Sequence, residues 1–153
     1  MNTTEDPSWK FYTETLLEFL LPDSFIVDLR QEVTTQEKAE FVRVGLKHRF
    51  AVLTACNPRD CSTDDRRNAR RTAKLERDLR VGDVVVLPAD GISPEGRHRE
   101  PGFAVGLAID RATGIARRYD QSAFFWFDGK RFWIMPVLVQ AKPIALPRLT
   151  IIP

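Results

Sequence analysis

Arginine crowds one short region of this chain. Arg59, Arg66, Arg67, Arg70 and Arg71 all fall within LTACNPRDCSTDDRRNARR, residues 53–71. An apolar run gives way there to Asn57-Pro58, a polar loop and then a helix start. The first N–H groups of a helix lack intrahelical partners, and its dipole favours negative charge at that end. Together these features predict a pocket for a phosphate or carboxylate, formed by Thr54, Asn57, Arg59, Asn68 and Arg71. The bland alternative is a solvated arginine face, with Asp64 and Asp65 answering the helix dipole and Asn57 only capping a turn.

Two further polar residues stand at strand boundaries. Glu100 follows a long polar loop and precedes Pro101-Gly102 at the mouth of a strand. A carboxylate there can act as a general base or orient an arginine; its structural alternative is an ion pair with Arg71. Gln121 sits between a helix and a strand, where a buried glutamine would serve loop carbonyls. Cys56, Cys61, His48 and His98 match no metal-ligand spacing, so no metal and no cofactor is expected. Cys61, near a helix start among arginines, would have a lowered pKa, but no histidine stands where thiol catalysis would need one. The phosphate-loop, dinucleotide-binding, serine-hydrolase and zinc-protease signatures are absent.

The elements that must hold these residues follow from apolar periodicity. Residues 8–21 predict a helix, with Pro7 and Ser8 at its start. Residues 25–29 read as an edge strand and 31–40 as a polar loop. Residues 49–56 predict a central strand. Phe50, Val52, Thr54 and Cys56 share one face and Ala51, Leu53 and Ala55 the other, so both faces are covered. A helix follows to about Arg80, capped by Ser62, Thr63 or Asp64, with Asn68, Ala69, Thr72, Leu75 and Leu79 inward. Strands are predicted at 84–87, 102–109, 122–127 and 131–135, with a short helix at 110–119. Pro88 to Gly91 is expected to end the first of them, and Asp128-Gly129 signals a hairpin. The proline-bearing tail, 136–153, is expected to pack as an extended edge segment.

The central order is strand, helix, strand, strand, helix, strand. That is the split βαβ order of a ferredoxin-like fold. Right-handed crossovers would put both helices on one face. The expected architecture is therefore α+β: a ferredoxin-like βαββαβ core in a mostly antiparallel sheet, with an added C-terminal hairpin strand and an N-terminal helix. The aromatics at Phe103, Phe124–Phe127, Phe132 and Trp133 suit core packing better than an RNA-stacking platform.

The bulk numbers frame this. At 153 residues, with 43% hydrophobic and 29% charged residues, the chain suits one globular domain with its core at about 40–135. A net charge of +2 confines any basic surface to a local patch. No apolar run approaches the roughly 18 residues of a membrane helix. The acidic, polar start MNTTEDPSWK lacks the pattern of a secretory signal. Two cysteines without such a signal suit reduced thiols in a cytoplasm.

One set of motifs resembles a known family. LTACNPRD, Asn68 and Arg71, Glu100-Pro101-Gly102-Phe103 and the run from Ala116 to Phe124 (ARRYDQSAF) resemble the bacterial domain of unknown function 3293. The resemblance spans roughly residues 12–134. It implies a bacterial intracellular setting and supplies no activity.

The leading expectation is a binding module for a small anionic ligand, a nucleotide among the candidates, held by Thr54, Asn57, Arg59, Asn68, Arg71, Glu100 and Gln121. Thr54 and Asn57 would orient it, Arg59 and Arg71 neutralise it, and Glu100 orient Arg71 or serve as a base. Nucleic-acid binding through the arginine helix ranks behind it. The third alternative is a protein-interaction module, docking or dimerising through the edge strand or the tail. No membrane partner is expected.

Overall fold

The computed structural model describes residues 8–20, 23–46 and 48–148. Helix α1 (Ser8–Thr13) is followed by strands β1 (Leu16–Phe19) and β2 (Phe25–Asp28). The single helix expected over 8–21 is thus a short helix and then a strand. Leu17 and Phe19 point inward and are fully buried, while Glu18 alternates outward. Sheet pairing on both sides of β1 overrides a weak helical period. The end of the expected helix, at Leu21, lies outside the described residues.

Helix α2 (Thr35–Arg43) occupies the region expected to be a loop. Its signal is a capping box: Thr34 accepts from the Glu37 N–H while Glu37 accepts from the Thr34 N–H. The helix projects Phe41 into the core with no exposed surface. Phe41 lies within 5.4 Å, ring centre to ring centre, of Phe19, Phe50 and Phe127.

Strand β3 (Phe50–Thr54) leads into α3 (Asp65–Arg80), then β4 (Val86–Ile92), β5 (Arg99–Glu100) and β6 (Gly102–Val105). Helix α4 (Ile109–Arg118) precedes β7 (Ala123–Phe127), β8 (Phe132–Pro136) and β9 (Ile144–Ala145). The described strands form one sheet in the order β2-β1-β4-β6-β3-β7-β8-β9, with β5 on β4. The pairings are antiparallel. The fold is therefore mixed α and β, with a mostly antiparallel sheet and four described α-helices.

Strand β4 does not stop at Pro88. Its first half, Val86–Pro88, pairs with β6, and its second half pairs with β1 and β5. Pro88, which has no N–H to donate, stands where the strand changes partners, and its carbonyl accepts from the Leu20 N–H. The tail contributes β9 to the sheet edge beside β8.

Two cores sandwich the centre of the sheet. Phe50 and Val52 of β3 join Trp9, Tyr12, Phe19 and Phe41 on one face. Ala51 and Leu53 join Leu75 and Leu79 of α3 and Ala112 and Ala116 of α4 on the other. Strand β7 is buried at every position, so its aromatics are core. Gly102 permits the closest approach: a Cβ there would lie 2.6 Å from the Leu53 carbonyl oxygen and 3.0 Å from that of Ala89. That glycine lets β6 begin between β3 and β4, with Glu100 just before it.

Candidate functional site

The C-terminal end of β3 is the organising point. Thr54 Oγ1 donates to the Pro101 carbonyl at 2.9 Å and accepts from the Cys56 N–H at 3.1 Å. This ties the end of β3 to the chain that enters β6.

Asn57 then takes a left-handed conformation, φ 48° and ψ 64°, which asparagine tolerates better than most residues. Its N–H donates to Asn68 Oδ1 at 3.0 Å. Its Oδ1 accepts from the Thr63 N–H and from Asn68 Nδ2, both at 3.0 Å. Its Nδ2 donates to Glu100 Oε1 at 2.7 Å. One side chain thus joins the strand end, the start of α3 and β5. Arg59 and Asp60 also have positive φ, 56° and 59°. Non-glycine residues in this region cost about 1–2 kcal/mol each, and such strain collects where a local shape is functionally required.

The amides of this turn are largely spoken for. Arg59 N–H donates to the Asp120 carbonyl at 2.6 Å, Asp60 N–H to Asn57 and Cys61 N–H to Pro58. Asp64 caps α3 by accepting from the Arg67 N–H at 2.8 Å.

Glu100 does not orient Arg71, which reaches the end of β3 with its donors on backbone carbonyls. Its Nε donates to the Ala55 carbonyl at 2.6 Å, and Nη2 donates to the Tyr119 carbonyl. The guanidinium lies 5.8 Å from the centre of the Tyr119 ring. Buried Gln121 donates from Nε2 to the carbonyls of Cys56 at 3.0 Å and Tyr119 at 3.1 Å. The physical reason is that the ends of β3 and α4 leave carbonyls without ladder or helix partners. Arg71 and Gln121 supply the missing donors. Exposed Arg59 pairs with Asp120 at 3.5 Å.

The seven predicted residues therefore converge on one end of β3. Thr54, Arg71 and Gln121 brace the backbone, and Arg59 makes a surface ion pair with Asp120. Asn57 and Glu100 line a cleft of about 330 Å³, together with Phe11, Tyr12, Asp60 and His98. Asn57, Glu100 and Asn68 also line a second cleft of about 510 Å³, on the α3 side. The Asn57–Glu100 hydrogen bond stands in the wall that the two clefts share.

Glu100 is the perturbed group of this site. Burial pushes its carboxyl above the ordinary glutamate range, and Asp60 adds repulsion in the same sense. The Asn57 hydrogen bond and His98 oppose that rise. Asn57 is its one hydrogen-bond partner among the described residues. Arg99 does not compensate it: its Nη1 is shared between Glu18 at 2.8 Å and buried Asp90 at 2.9 Å. The smaller cleft thus presents two carboxyl groups, Glu100 and Asp60, beside two aromatic rings. Tyr12 Oη donates to Asp60 Oδ1 at 3.4 Å.

Phe11, Tyr12 and Asp60 were not legible as site residues. The first two come from α1, some 45 residues before the turn, and only the tertiary fold brings them near. Cys56 is buried, and its thiol pKa is raised by that burial; Cys61 is exposed. No cluster of three or more metal-ligating side chains occurs among the described residues. No described helix is long and apolar enough to cross a membrane.

Residues 53–124 match the family described as "Protein of unknown function (DUF3293)". The match begins on β3 and ends on β7, so it contains Asn57, Asn68, Arg71, Glu100 and Gln121 but not α1. No curated protein and no solved structure matches the chain.

Proposed function

With its segment 53–124 belonging to that family, we propose that this protein is a small-ligand-binding module whose anchor is the Glu100 carboxyl. The ligand presents an N–H donor or a cationic nitrogen on a planar or apolar body. The observation that carries this reading is a half-buried carboxyl, held through one oxygen by Asn57, in the wall of a cleft. A perturbed carboxyl in such a position marks a functional-site candidate.

Charge argues for a donor-bearing ligand rather than the anion expected from the arginines. Arg71 is occupied by two carbonyls, Arg59 faces Asp120, and Asp64 answers the dipole of α3. Arg99 also lines the cleft, but its Nη1 is held by Glu18 and Asp90, and the two carboxyls repel an anion and attract a donor. Phe11 and Tyr12 supply apolar and ring surface for the rest of the ligand. An amidine, a guanidine or the amino edge of a nucleobase has this chemistry.

The scaffold reading is proposed beside it. The order β4-β6-β3-β7, with α3 and α4 on one face, supports a ferredoxin-like split βαβ pair for the middle of the chain. The hairpin of β1 and β2 would then be an extension on the β4 edge.

The test is a thermal-shift panel of benzamidine, agmatine, adenosine and cytidine against phosphate, sulfate and citrate. Stabilisation by at least one donor-bearing probe, and by none of the anions, is expected. Stabilisation by the anions alone would overturn the reading.

A further inference from the structure

We propose that the outer face of α3, extended by α4, docks on the phosphate backbone of a nucleic acid. The inference does not rest on the Glu100 cleft. That cleft is lined from α1, the turn before α3 and residues 98–100, and by no residue of α3.

Helix α3 carries seven basic and three acidic side chains, and α4 carries three and one. These two helices therefore hold a net charge of +6 in a chain whose total is +2. They lie on the same face of the sheet, over one shared core. The remainder of the molecule is net acidic, so the charge is segregated rather than mixed.

Spacing makes the basic groups a stripe. Arg66, Arg70, Lys74 and Arg77 stand at i, i+4, i+8 and i+11, which is one flank of an α-helix. Leu75 and Leu79, buried against the sheet, define the opposite flank. All four stripe residues are exposed. None of the four forms an ion pair among the described residues, whereas Arg80 pairs with Glu76 and Arg118 with Asp78. Arg111 and Arg117 of α4 are likewise exposed and unpaired among the described residues.

From Arg66 to Arg77 the stripe rises about 16 Å at ~1.5 Å per residue. That length spans roughly five steps of a duplex at ~3.4 Å per step. Unpaired cations in a row match a row of phosphates, and their release of counterions supplies affinity without sequence readout. A membrane surface fits less well. An interfacial helix needs large apolar side chains to insert, and the exposed large hydrophobics Ile26, Val42, Val81 and Val85 all lie outside the stripe.

Fluorescence anisotropy of the full chain with a labelled RNA duplex, the matching DNA duplex and a single strand tests this. Three phosphate contacts predict a log–log salt slope near −2.7, or roughly 40-fold weaker binding between about 50 and about 200 mM salt. In the exposed triple variant Arg66→Gln, Arg70→Gln, Arg77→Gln the slope should flatten, with Lys74, Arg111 and Arg117 supplying what remains, while the circular dichroism and melting stay those of the parent. Absence of binding at low salt would overturn the proposal. So would binding untouched by the triple variant, or binding only to anionic phospholipid vesicles.

Discussion

Asn57 Nδ2 and Glu100 Oε1, separated by 43 positions in sequence, meet at 2.7 Å. Around that bond, the same asparagine also holds the Thr63 amide and both ends of the Asn68 amide. The left-handed turn, the start of α3 and the chain entering β6 are therefore fixed by one side chain. Glu100 is the member of this network with hydrogen-bonding capacity left over.

Replacing Asn57 by alanine removes three side-chain hydrogen bonds and leaves an alanine at positive φ. A loss of about 2–4 kcal/mol is expected in urea denaturation, because partly buried partners are stranded as well. Asn57→Asp should be worse at neutral pH, since it sets a second carboxylate against Glu100.

Glu100 should make stability fall with rising pH. Its folded pKa lies above the unfolded value near 4.5, so its protonated form is the one the fold prefers. That contribution is complete below the unfolded value and is lost as pH rises through the folded one. Glu100→Gln keeps an acceptor for Asn57 and carries no charge. The variant should be more stable than the parent at neutral pH, with the difference vanishing in acid below the unfolded value. Paired urea melts across pH check this; equal curves at all pH values would contradict it.

Tyr119 should act at the alkaline end. Burial, and then its hydrogen bond to Asp78, push the phenol from 10.0 up to about 12. Stability should therefore decline as pH rises through that interval, and Tyr119→Phe should flatten the decline. Phenolate absorbance against pH, compared between the parent and Tyr119→Phe, gives the titration directly.

Arg71→Lys should not rescue what Arg71→Ala loses. A lysine cannot reach the Ala55 and Tyr119 carbonyls with a planar fork or stack on the Tyr119 ring in the same way. Both variants are expected to lose about 1–3 kcal/mol, read as lowered melting temperatures. A fully stable Arg71→Lys would show that only charge matters there.

The alternation of Phe50, Ala51, Val52 and Leu53 identified β3 as covered on both faces, and the two cores take those residues as expected. The meeting of Thr54, Asn57, Asn68 and Glu100 at the end of β3 has a physical basis in the sequence as well, because a turn after a central strand has few ways to satisfy its polar groups. The partners were not legible. Arginine count suggested an anion, but counting cannot reveal that orphan carbonyls at two element ends would take Arg71. Region 8–21 failed for a related reason: the pairing of β1 with β2 and β4 is non-local and leaves little trace in local periodicity. In region 31–40 a polar composition masks the Thr34 and Glu37 capping box that starts α2.

Thiol labelling separates the two cysteines. Exposed Cys61 should react at once with a disulfide reagent, and buried Cys56, with its raised pKa, only on unfolding. Rapid labelling of both in the native state would show that the β3 end opens readily.

The most direct measurement is ligand-observed NMR titration of the donor-bearing probes against the parent protein and folded Glu100→Gln. Binding to the parent is expected, weakened at least about tenfold, some 1.4 kcal/mol, in the variant. Equal affinity for both proteins, or no binding of any donor-bearing probe to the parent, would contradict Glu100 as the anchor.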